Sequence, residues 1–261
     1  MKPTFHELEL PPQTQCIEFI SDLHLDAQNR PVFEAWQRYM KNTHADAVFI
    51  LGDLFESWVG DDILSAPSAL GDFERECAAV LAQTAQNCTV YFMAGNRDFF
   101  AGLQMPQALH ITLLPDPTLL LWNAQKTILT HGDLLCTDDV KYQEFRQMVH
   151  NPLWQQQVLR MPLEARIATA QQMRQQSEMA KKTNAAQIMD VNAQEVAIWM
   201  NAAQATDMIH GHTHRPADHF LANGQKRIVL TDWDLNAQPM PKAEVLRWEK
   251  GQAFERISLA E

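Results

Sequence analysis

The fold prediction depends on one short stretch, AVFILGD at residues 47–53, in which five apolar residues run directly into a glycine and a carboxylate. A continuous apolar run of this length, ended by turn residues, is typical of a buried strand. Four further apolar runs end in polar residues that can bind a metal, and these ends contain Asp22, Asn96, His131 and His212. Because open sheets place ligand sites beyond the carboxyl ends of their strands, we expect the five ends to meet at one rim.

The five strand ends together carry two carboxylates, one amide oxygen and four imidazoles that could bind metal ions. A mixed oxygen and nitrogen set without thiolates suits Mn²⁺, Fe²⁺, Co²⁺ or Zn²⁺. Such a set is larger than one tetrahedral ion uses, but it fits two ions about 3.5–4 Å apart if one carboxylate bridges them. The candidate ligands are Asp22, His24, Asp53, Asn96, His131, His212 and His214.

The strand pattern stops between residues 138 and 204, which are rich in Gln, Met, Ala, Lys and Arg. Apolar residues recur there at helical spacing, so we predict several amphipathic helices inserted into a core formed by residues 1–137 and 205–261. Two interpretations stay open: the insert packs on the flank of the core, or it forms a cap that covers the metal ligands and holds substrate. Further helices are predicted over residues 30–43 and 73–85.

The composition argues against several classes of protein. The chain has 261 residues, a formal net charge of −11 and 46% hydrophobic residues, which argues against intrinsic disorder and against binding along a nucleic-acid backbone. No apolar run approaches the roughly 20 residues of a membrane-spanning helix, and residues 1–15 lack the apolar segment of a signal peptide. The four cysteines form no C-x-x-C pair, so we expect reduced, buried thiols in a cytoplasmic protein.

The order and spacing of the five polar ends resemble those of a known family. They form the series D-x-H, G-D, G-N-R-D, H-G and G-H-x-H, which is similar to the pattern of the calcineurin-like metallophosphoesterase superfamily. The resemblance spans Asp22 to His214 and implies an α/β (α+β) fold, a four-layer αββα sandwich with an inserted helical cap. Arg97 departs from many members, which have at that position a histidine that protonates the leaving group.

Longer blocks of sequence narrow the resemblance. Residues 52–62, 131–139, 188–192 and 210–216 are similar to the enzymes that hydrolyse UDP-2,3-diacylglucosamine in the lipid A synthesis of Gram-negative bacteria. This similarity implies that a hydroxide bridging two divalent ions, expected to be Mn²⁺, attacks the α-phosphorus of the substrate. The products would be UMP and 2,3-diacylglucosamine 1-phosphate (lipid X).

The resemblance also assigns roles to the candidate ligands, with Asp53 bridging the two ions. All seven would be catalytic. One ion would be held by Asp22, His24, Asp53 and His214, and the other by Asp53, Asn96, His131 and His212.

The resemblance implies that substrate contacts come from both the core and the insert. Lys181 and Asn184 exchange the family order of Asn and Lys but share a helical face with Ser177, and Lys182 is an alternative to Lys181. Charge exposed to solvent is the competing interpretation of these insert residues. The implied substrate contacts are Asn96, Arg97, Asp139, Ser177, Lys181, Asn184 and His212.

Several polar residues beside the ligands have two interpretations each. The guanidinium of Arg97 can form bidentate hydrogen bonds with phosphate oxygens, or it can form an ion pair with Asp98 or Asp61. We expect Asp98 and Asp133 to orient ligand imidazoles or amides. His210 is expected to support the ligands rather than bind a metal.

A lipid-bearing nucleotide substrate has consequences for partners and location. It implies peripheral attachment to the cytoplasmic face of the inner membrane, and basic residues of the insert would support this. We expect a monomer that does not bind nucleic acid. The apolar faces of the cap would line a groove for two acyl chains, with candidates Trp58, Phe145, Met148 and Trp154.

Two other functions remain as alternatives. The same metal core would serve another metallophosphoesterase that acts on nucleotides or dinucleotides. A non-catalytic scaffold is a further alternative, but the complete ligand set argues against it.

Overall fold

Two sheets of six strands form the centre of the protein. The computed structural model describes residues 3–66, 69–102, 104–184, 190–221 and 224–260, without the side chains of residues 176–184. The strands are β1 His6–Glu9, β2 Cys16–Ile20, β3 Ala47–Leu51, β4 Thr89–Met93, β5 Thr112–Leu114, β6 Thr118–Trp122, β7 Gln125–Leu129, β8 Asp207–His210, β9 Ala217–Phe220, β10 Lys226–Val229, β11 Glu244–Glu249 and β12 Phe254–Ser258. The helices are α1 Arg30–Asn42, α2 Asp72–Thr84, α3 Gln104–Leu109, α4 Val140–Val149, α5 Pro152–Leu159, α6 Leu163–Asn184 and α7 Ala193–Ala203.

The first sheet has the strand order β12-β11-β2-β3-β4-β5. Strands β2 to β5 are parallel, as expected for strands joined by helical crossovers, while β11 and β12 add an antiparallel hairpin. The register places Phe19 opposite Phe49 and Phe49 opposite Tyr91, and their rings stack with centroids 5.0 and 4.6 Å apart. This aromatic row lies on one face of the sheet, while Val48 and Ile50 face the other way because side chains alternate along a strand.

The second sheet has the order β1-β6-β7-β8-β10-β9. Strands β7, β8 and β10 are parallel neighbours, and β6 pairs with β7 as an antiparallel hairpin. The aromatic row of the first sheet packs against Leu129, Ile209 and Ile228 of this sheet, which forms the central core.

Helices cover the outer faces of both sheets. On the first sheet, Trp36 of α1 and Leu81 of α2 pack against the outward-facing Val48 and Ile50. On the second sheet, Trp199 and Met200 of α7 join a separate apolar cluster with residues of β6, β7 and β8. The order helix, sheet, sheet, helix confirms the predicted four-layer αββα sandwich.

The strands predicted from apolar runs are present, but two strands were not predicted. β5 has only three residues, and β9 is an edge strand of sequence ADHF whose Phe220 is exposed, so neither contains a continuous apolar run. The five polar ends meet at one rim, as expected, but that rim is shared by two sheets. They follow β2, β3 and β4 of the first sheet and β7 and β8 of the second, and an apolar pattern does not state which sheet a strand joins.

The predicted insert contains α4, α5, α6 and α7. The start of α6 packs on the first core through Leu163 and Ile167, and Trp154 of α5 stacks on Phe100 with ring centroids 5.8 Å apart. The division of the chain into a core and a cap at residues 138–204 stays a prediction. Within the described ranges, no helix has the length and apolar content needed to span a membrane.

Candidate metal centre

The seven predicted ligands form one continuous cluster at the edge where the two sheets meet. In its first half, the Nε2 atoms of His24 and His214 lie 3.3 Å apart, and His214 Nε2 lies 3.5 Å from Asp22 Oδ1. His24 Nε2 also lies 3.9 Å from Asp53 Oδ2. Asp22, His24 and His214 therefore offer ligand atoms that all lie within 4.8 Å of one another.

The second half of the cluster surrounds the other oxygen of Asp53. His131 Nε2 lies 3.6 Å from Asp53 Oδ1 and 2.9 Å from Asn96 Oδ1, which in turn lies 2.8 Å from His212 Nδ1. The backbone N–H of His212 donates to both oxygens of Asp22, at 3.1 and 2.9 Å, so the two halves are joined. One Asp53 oxygen faces each half, which is the arrangement that a bridging carboxylate requires.

Five of the candidate ligands have a left-handed backbone that non-glycine residues rarely adopt. The φ angles are 53° at Asp22, 48° at His24, 52° at Asp53, 65° at His212 and 53° at His214. Each such residue costs on the order of 1–2 kcal/mol, and strain of this kind collects at functional sites. All five residues lie within four positions of the ends of β2, β3 and β8, where the candidate ligands collect.

Two glycines allow the backbones of the site to approach closely. A Cβ atom at Gly95 would collide with the carboxylate of Asp53, and one at Gly211 would collide with that of Asp22. The glycines of the G-N and G-H motifs are therefore needed because no side chain fits at these two positions.

Burial and neighbouring charges shift the pKa values of the imidazoles in the site. Burial alone would lower the pKa of His131, but the carboxylates of Asp53 and Asp22 raise it to about 10. Burial and the positive charge of His131 together lower the pKa of His212 to about 3. The negative charge of two buried carboxylates favours the binding of a cation beside the imidazole nitrogens. Oxygen and nitrogen donors of this type suit a divalent transition metal.

The neighbours of these ligands differ from two sequence predictions. Asp98 accepts backbone N–H groups of Gly95 at 2.6 Å and Leu54 at 2.8 Å, so it holds the loops and not an imidazole. Asp133 accepts the hydroxyl of Tyr142 at 2.8 Å and Nε of Arg146 at 2.7 Å, so it binds α4. The expectation that these carboxylates orient ligand side chains is wrong, because the hydrogen-bond donors to Asp98 are backbone N–H groups and those to Asp133 include side chains of α4.

Backbone carbonyls orient two of the site's imidazoles instead. His131 Nδ1 lies 3.0 Å from Leu51 O, which leaves Nε2 facing the cluster. His210 Nδ1 lies 2.8 Å from Gly211 O and its Nε2 lies 3.4 Å from Arg227, so this imidazole supports the turn, as expected.

The predicted substrate contacts are placed in different ways. Arg97 Nη1 lies 3.6 Å from Glu56 Oε1, so its ion-pair partner is neither Asp98 nor Asp61. Asp139 caps α4 by accepting the N–H of Tyr142 at 3.0 Å. Asn96 and His212 belong to the cluster. Ser177, Lys181 and Asn184 lie in α6, and their side chains are outside the described part of the chain.

The block at residues 52–62 contains three side chains whose structural roles the sequence did not indicate. Trp58 is only 1% exposed and donates to Asp61, so it is a core residue and not part of an acyl groove. Asp61 also accepts the N–H groups of Gln104 and Met105 at the start of α3. Asp62 binds Arg166 of α6.

The family model described as calcineurin-like phosphoesterase matches residues 17–216. This range contains all five polar strand ends and the whole predicted insert. The chain belongs to the calcineurin-like phosphoesterase family. Members of this family use divalent metal ions, and the donors of the candidate centre fit such ions.

Curated relatives match most of the chain. A protein of Chromohalobacter salexigens named UDP-2,3-diacylglucosamine hydrolase is 43% identical over 82% of this chain and 87% of its own length. A protein of Xanthomonas campestris pv. campestris with the same name is 41% identical over 92% of this chain and 98% of its own length. Among solved structures, vacuolar protein sorting 29 from Cryptosporidium parvum is 12% identical, covers 94% of this chain and 98% of its own, and has a TM-score of 0.46.

Proposed function

We propose that the protein is a metal-dependent hydrolase that cleaves the pyrophosphate bond of UDP-2,3-diacylglucosamine to UMP and 2,3-diacylglucosamine 1-phosphate. The observation that carries this proposal is the match to proteins of that name, at 40–44% identity over 82–92% of this chain. The match extends through the insert as well as the metal cluster, and the insert is where a lipid substrate would be distinguished from a smaller nucleotide.

The cluster supports a centre for two Mn²⁺ ions. Asp22, His24, Asp53 and His214 would hold one ion, and Asp53, Asn96, His131 and His212 the other. A pair of divalent ions lowers the pKa of a bound water toward neutrality and offsets the charge that develops on phosphoryl oxygens. The protein's own contribution is to fix the donors, since the left-handed backbone and the buried hydrogen bonds hold them before the substrate arrives.

Substrate binding would use the edge of the metal centre and the insert. Arg97 follows the ligand Asn96, and its backbone N–H donates to Asp53 Oδ1 at 2.8 Å. Its guanidinium lies 3.6 Å from Glu56 Oε1, which holds it beside the cluster. A guanidinium there can bind two pyrophosphate oxygens at once and orient the α-phosphorus toward the nucleophile. In this proposal residues 138–204 form the cap, with further contacts from Asp139, Ser177, Lys181 and Asn184.

The proposal includes a location. A diacylated substrate partitions into membrane, so we place a monomer at the cytoplasmic face of the inner membrane without a spanning segment. The insert supports this with exposed apolar side chains at Val140, Leu153 and Leu159, next to the basic residues Lys141 and Arg160. Flotation with anionic vesicles tests the location, and protein that stays entirely in the soluble fraction would contradict it.

A UMP-release assay tests the reaction itself. The purified protein should release UMP from UDP-2,3-diacylglucosamine when Mn²⁺ is added, and a chelator should stop the release. Diadenosine tetraphosphate and a model phosphodiester serve as comparison substrates in the same assay. A preference for either of these would contradict the proposed substrate and favour a nucleotide or general phosphodiester hydrolase.

A further inference from the structure

Glu56 is a nearly buried carboxylate that connects three parts of the site. Its side chain is 11% exposed. Oε2 lies 3.1 Å from Nδ1 of His24, and Oε1 lies 3.0 Å from Nε of Arg174 on α6 and 3.6 Å from Nη1 of Arg97. One carboxylate therefore meets a candidate metal ligand, a candidate phosphate-binding residue and the long helix of the insert.

The backbone fixes Glu56 in this position. After β2 and β3 end, the two segments that follow them continue side by side. His24 N–H donates to Asp53 O at 3.0 Å, and Leu25 N–H donates to Leu54 O at 2.9 Å. Glu56 N–H then donates to Leu25 O at 3.1 Å. This ladder places Glu56 beside His24 through main-chain bonds, so the contact does not depend on the chance meeting of two flexible side chains.

The Nδ1 atom of His24 needs an acceptor if the opposite nitrogen is to bind a metal. A neutral imidazole carries one N–H and one lone pair, so protonation of Nδ1 leaves the lone pair on Nε2. His24 Nε2 faces the cluster, within 3.9 Å of Asp53. Nδ1 is buried and finds no partner at good hydrogen-bond angles, although the Glu56 oxygen is only 3.1 Å away. A small rotation of the ring would complete this bond.

We propose that Glu56 is a positioning residue with two tasks. It accepts the Nδ1–H of His24, which keeps Nε2 available for the metal, and it holds Arg97 and Arg174 at the edge of the site. Carboxylates that orient metal-binding histidines in this way are worth about 10–100-fold in metal affinity or activity. The task at Arg97 rests on the proposed function, whereas the task at His24 requires only that the cluster binds a metal.

Two substitutions separate the tasks. Glu56→Gln keeps an oxygen that can accept from His24 but removes the charge that attracts the arginines. Glu56→Met has a similar length and removes both. Glu76→Gln is the matched control, because Glu76 also binds an arginine, Arg30, but does so in an exposed pair between α1 and α2.

Metal affinity and the histidine tautomer are the deciding measurements, since neither needs substrate. We expect Glu56→Met to weaken Mn²⁺ binding about 10–100-fold by calorimetry. In the metal-free protein with ¹⁵N-labelled histidine, where no metal ion dictates the tautomer, it should also remove the protonated Nδ1 signal of His24. Glu56→Gln should keep Mn²⁺ affinity within about threefold and keep this signal, but raise KM for the UDP substrate about tenfold. The control should match the wild type in all three measurements.

A Glu56→Met protein that is folded by circular dichroism and keeps wild-type Mn²⁺ affinity and the wild-type His24 signal would overturn the inference. Unchanged KM in Glu56→Gln would overturn the task at Arg97. If the wild-type protein does not cleave the UDP substrate, the proposed function fails, while the metal and tautomer measurements still decide the role of Glu56.

Discussion

At the scale of single residues, the position of Arg97 depends on contacts with residues distant in the sequence. The backbone N–H of Arg97 binds Asp53, and its guanidinium lies beside Glu56, so both ends are held before any substrate binds. An arginine that is positioned in advance loses less conformational freedom on binding a phosphate than a free one. The residue is therefore placed to act on substrate binding more than on metal binding.

Replacing Arg97 by alanine should damage substrate handling. Charge-assisted hydrogen bonds contribute about 1.5–3 kcal/mol each, so KM for UDP-2,3-diacylglucosamine should rise about 10- to 100-fold. Mn²⁺ binding should change little. Steady-state kinetics and calorimetry check the two parts, with Arg38→Ala on the exposed face of α1 as control. An Arg97→Ala protein with unchanged kinetics would remove this residue from the mechanism.

The cysteines allow a prediction about pH. All four are free, and burial raises the pKa of Cys16 to about 11 and that of Cys88 and Cys136 to about 12. Because the thiolate is the reactive form, a raised pKa means little reaction at pH 8 and faster reaction as pH rises toward 11.

A disulfide reagent such as DTNB measures this directly. The native protein should react slowly at pH 8, with the half-buried Cys16 first, and all four thiols should react at once after unfolding in guanidinium. A native thiol that reacts at pH 8 as fast as free cysteine would contradict the burial of these residues.

The residue scale also shows what the sequence could supply. The seven candidate ligands follow from their positions at strand ends, because a polar residue that interrupts a buried apolar run is easily recognised. Glu56 and Asp232 could not be found in this way. Both act through neighbours distant in sequence, since Asp232 lies 3.7 Å from Nδ1 of His214, and no spacing rule connects such pairs.

At the scale of elements, α6 is fastened to the core at two points of different strength. Arg166 is 3% exposed and donates to the carbonyl oxygens of Val59 and Met161 and to the carboxylate of Asp62. Arg174, two turns further along, is 45% exposed. Burial separates the two contacts, because an exposed ion pair adds little stability while a buried one is costly to break.

The first of these two contacts should contribute most of the stability. Arg166→Met leaves buried carbonyl oxygens without a donor and should lower the free energy of unfolding by about 2–4 kcal/mol. Arg174→Met should lower it by about 0–1 kcal/mol. Urea denaturation of both variants measures the difference. Equal losses in the two variants would mean that Arg166 does not anchor the helix.

Elements were predicted well where burial leaves a periodic pattern and poorly where it does not. β3 is a continuous apolar run because both of its faces are covered, and β2 and β4 are apolar except for Glu18 and Thr89. The first turn of α4 depends on the cap from Asp139, which the sequence analysis assigned to substrate. A capping residue and a binding residue have the same polar side chain, so sequence alone does not separate the two roles.

At the scale of the whole molecule, the site exists because two sheets end at the same edge. Neither sheet carries a complete set of ligands: Asp22, Asp53 and Asn96 follow strands of one sheet, and His131 and His212 follow strands of the other. Metal binding must therefore stabilise the packing of the sheets as well as the local turns.

This coupling predicts a metal-dependent melting temperature. A ligand present at 100 times its Kd stabilises the native state by about 2.7 kcal/mol, so Mn²⁺ should raise Tm and a chelator should lower it. Asp53→Ala, which removes the carboxylate shared by both halves, should abolish activity and lose this shift. Differential scanning calorimetry checks the effect, and circular dichroism shows that the variant is folded. A full Mn²⁺-dependent shift in Asp53→Ala would contradict the central place of this carboxylate.

The most direct test of the central claim is the anomalous diffraction of manganese in crystals grown with Mn²⁺. We predict two peaks about 3.5–4 Å apart, with an oxygen of Asp53 at each and with the other candidate ligands divided between them. A single peak, or peaks outside the cluster formed by Asp22, Asn96 and His212, would contradict the two-metal centre and the hydrolysis that depends on it.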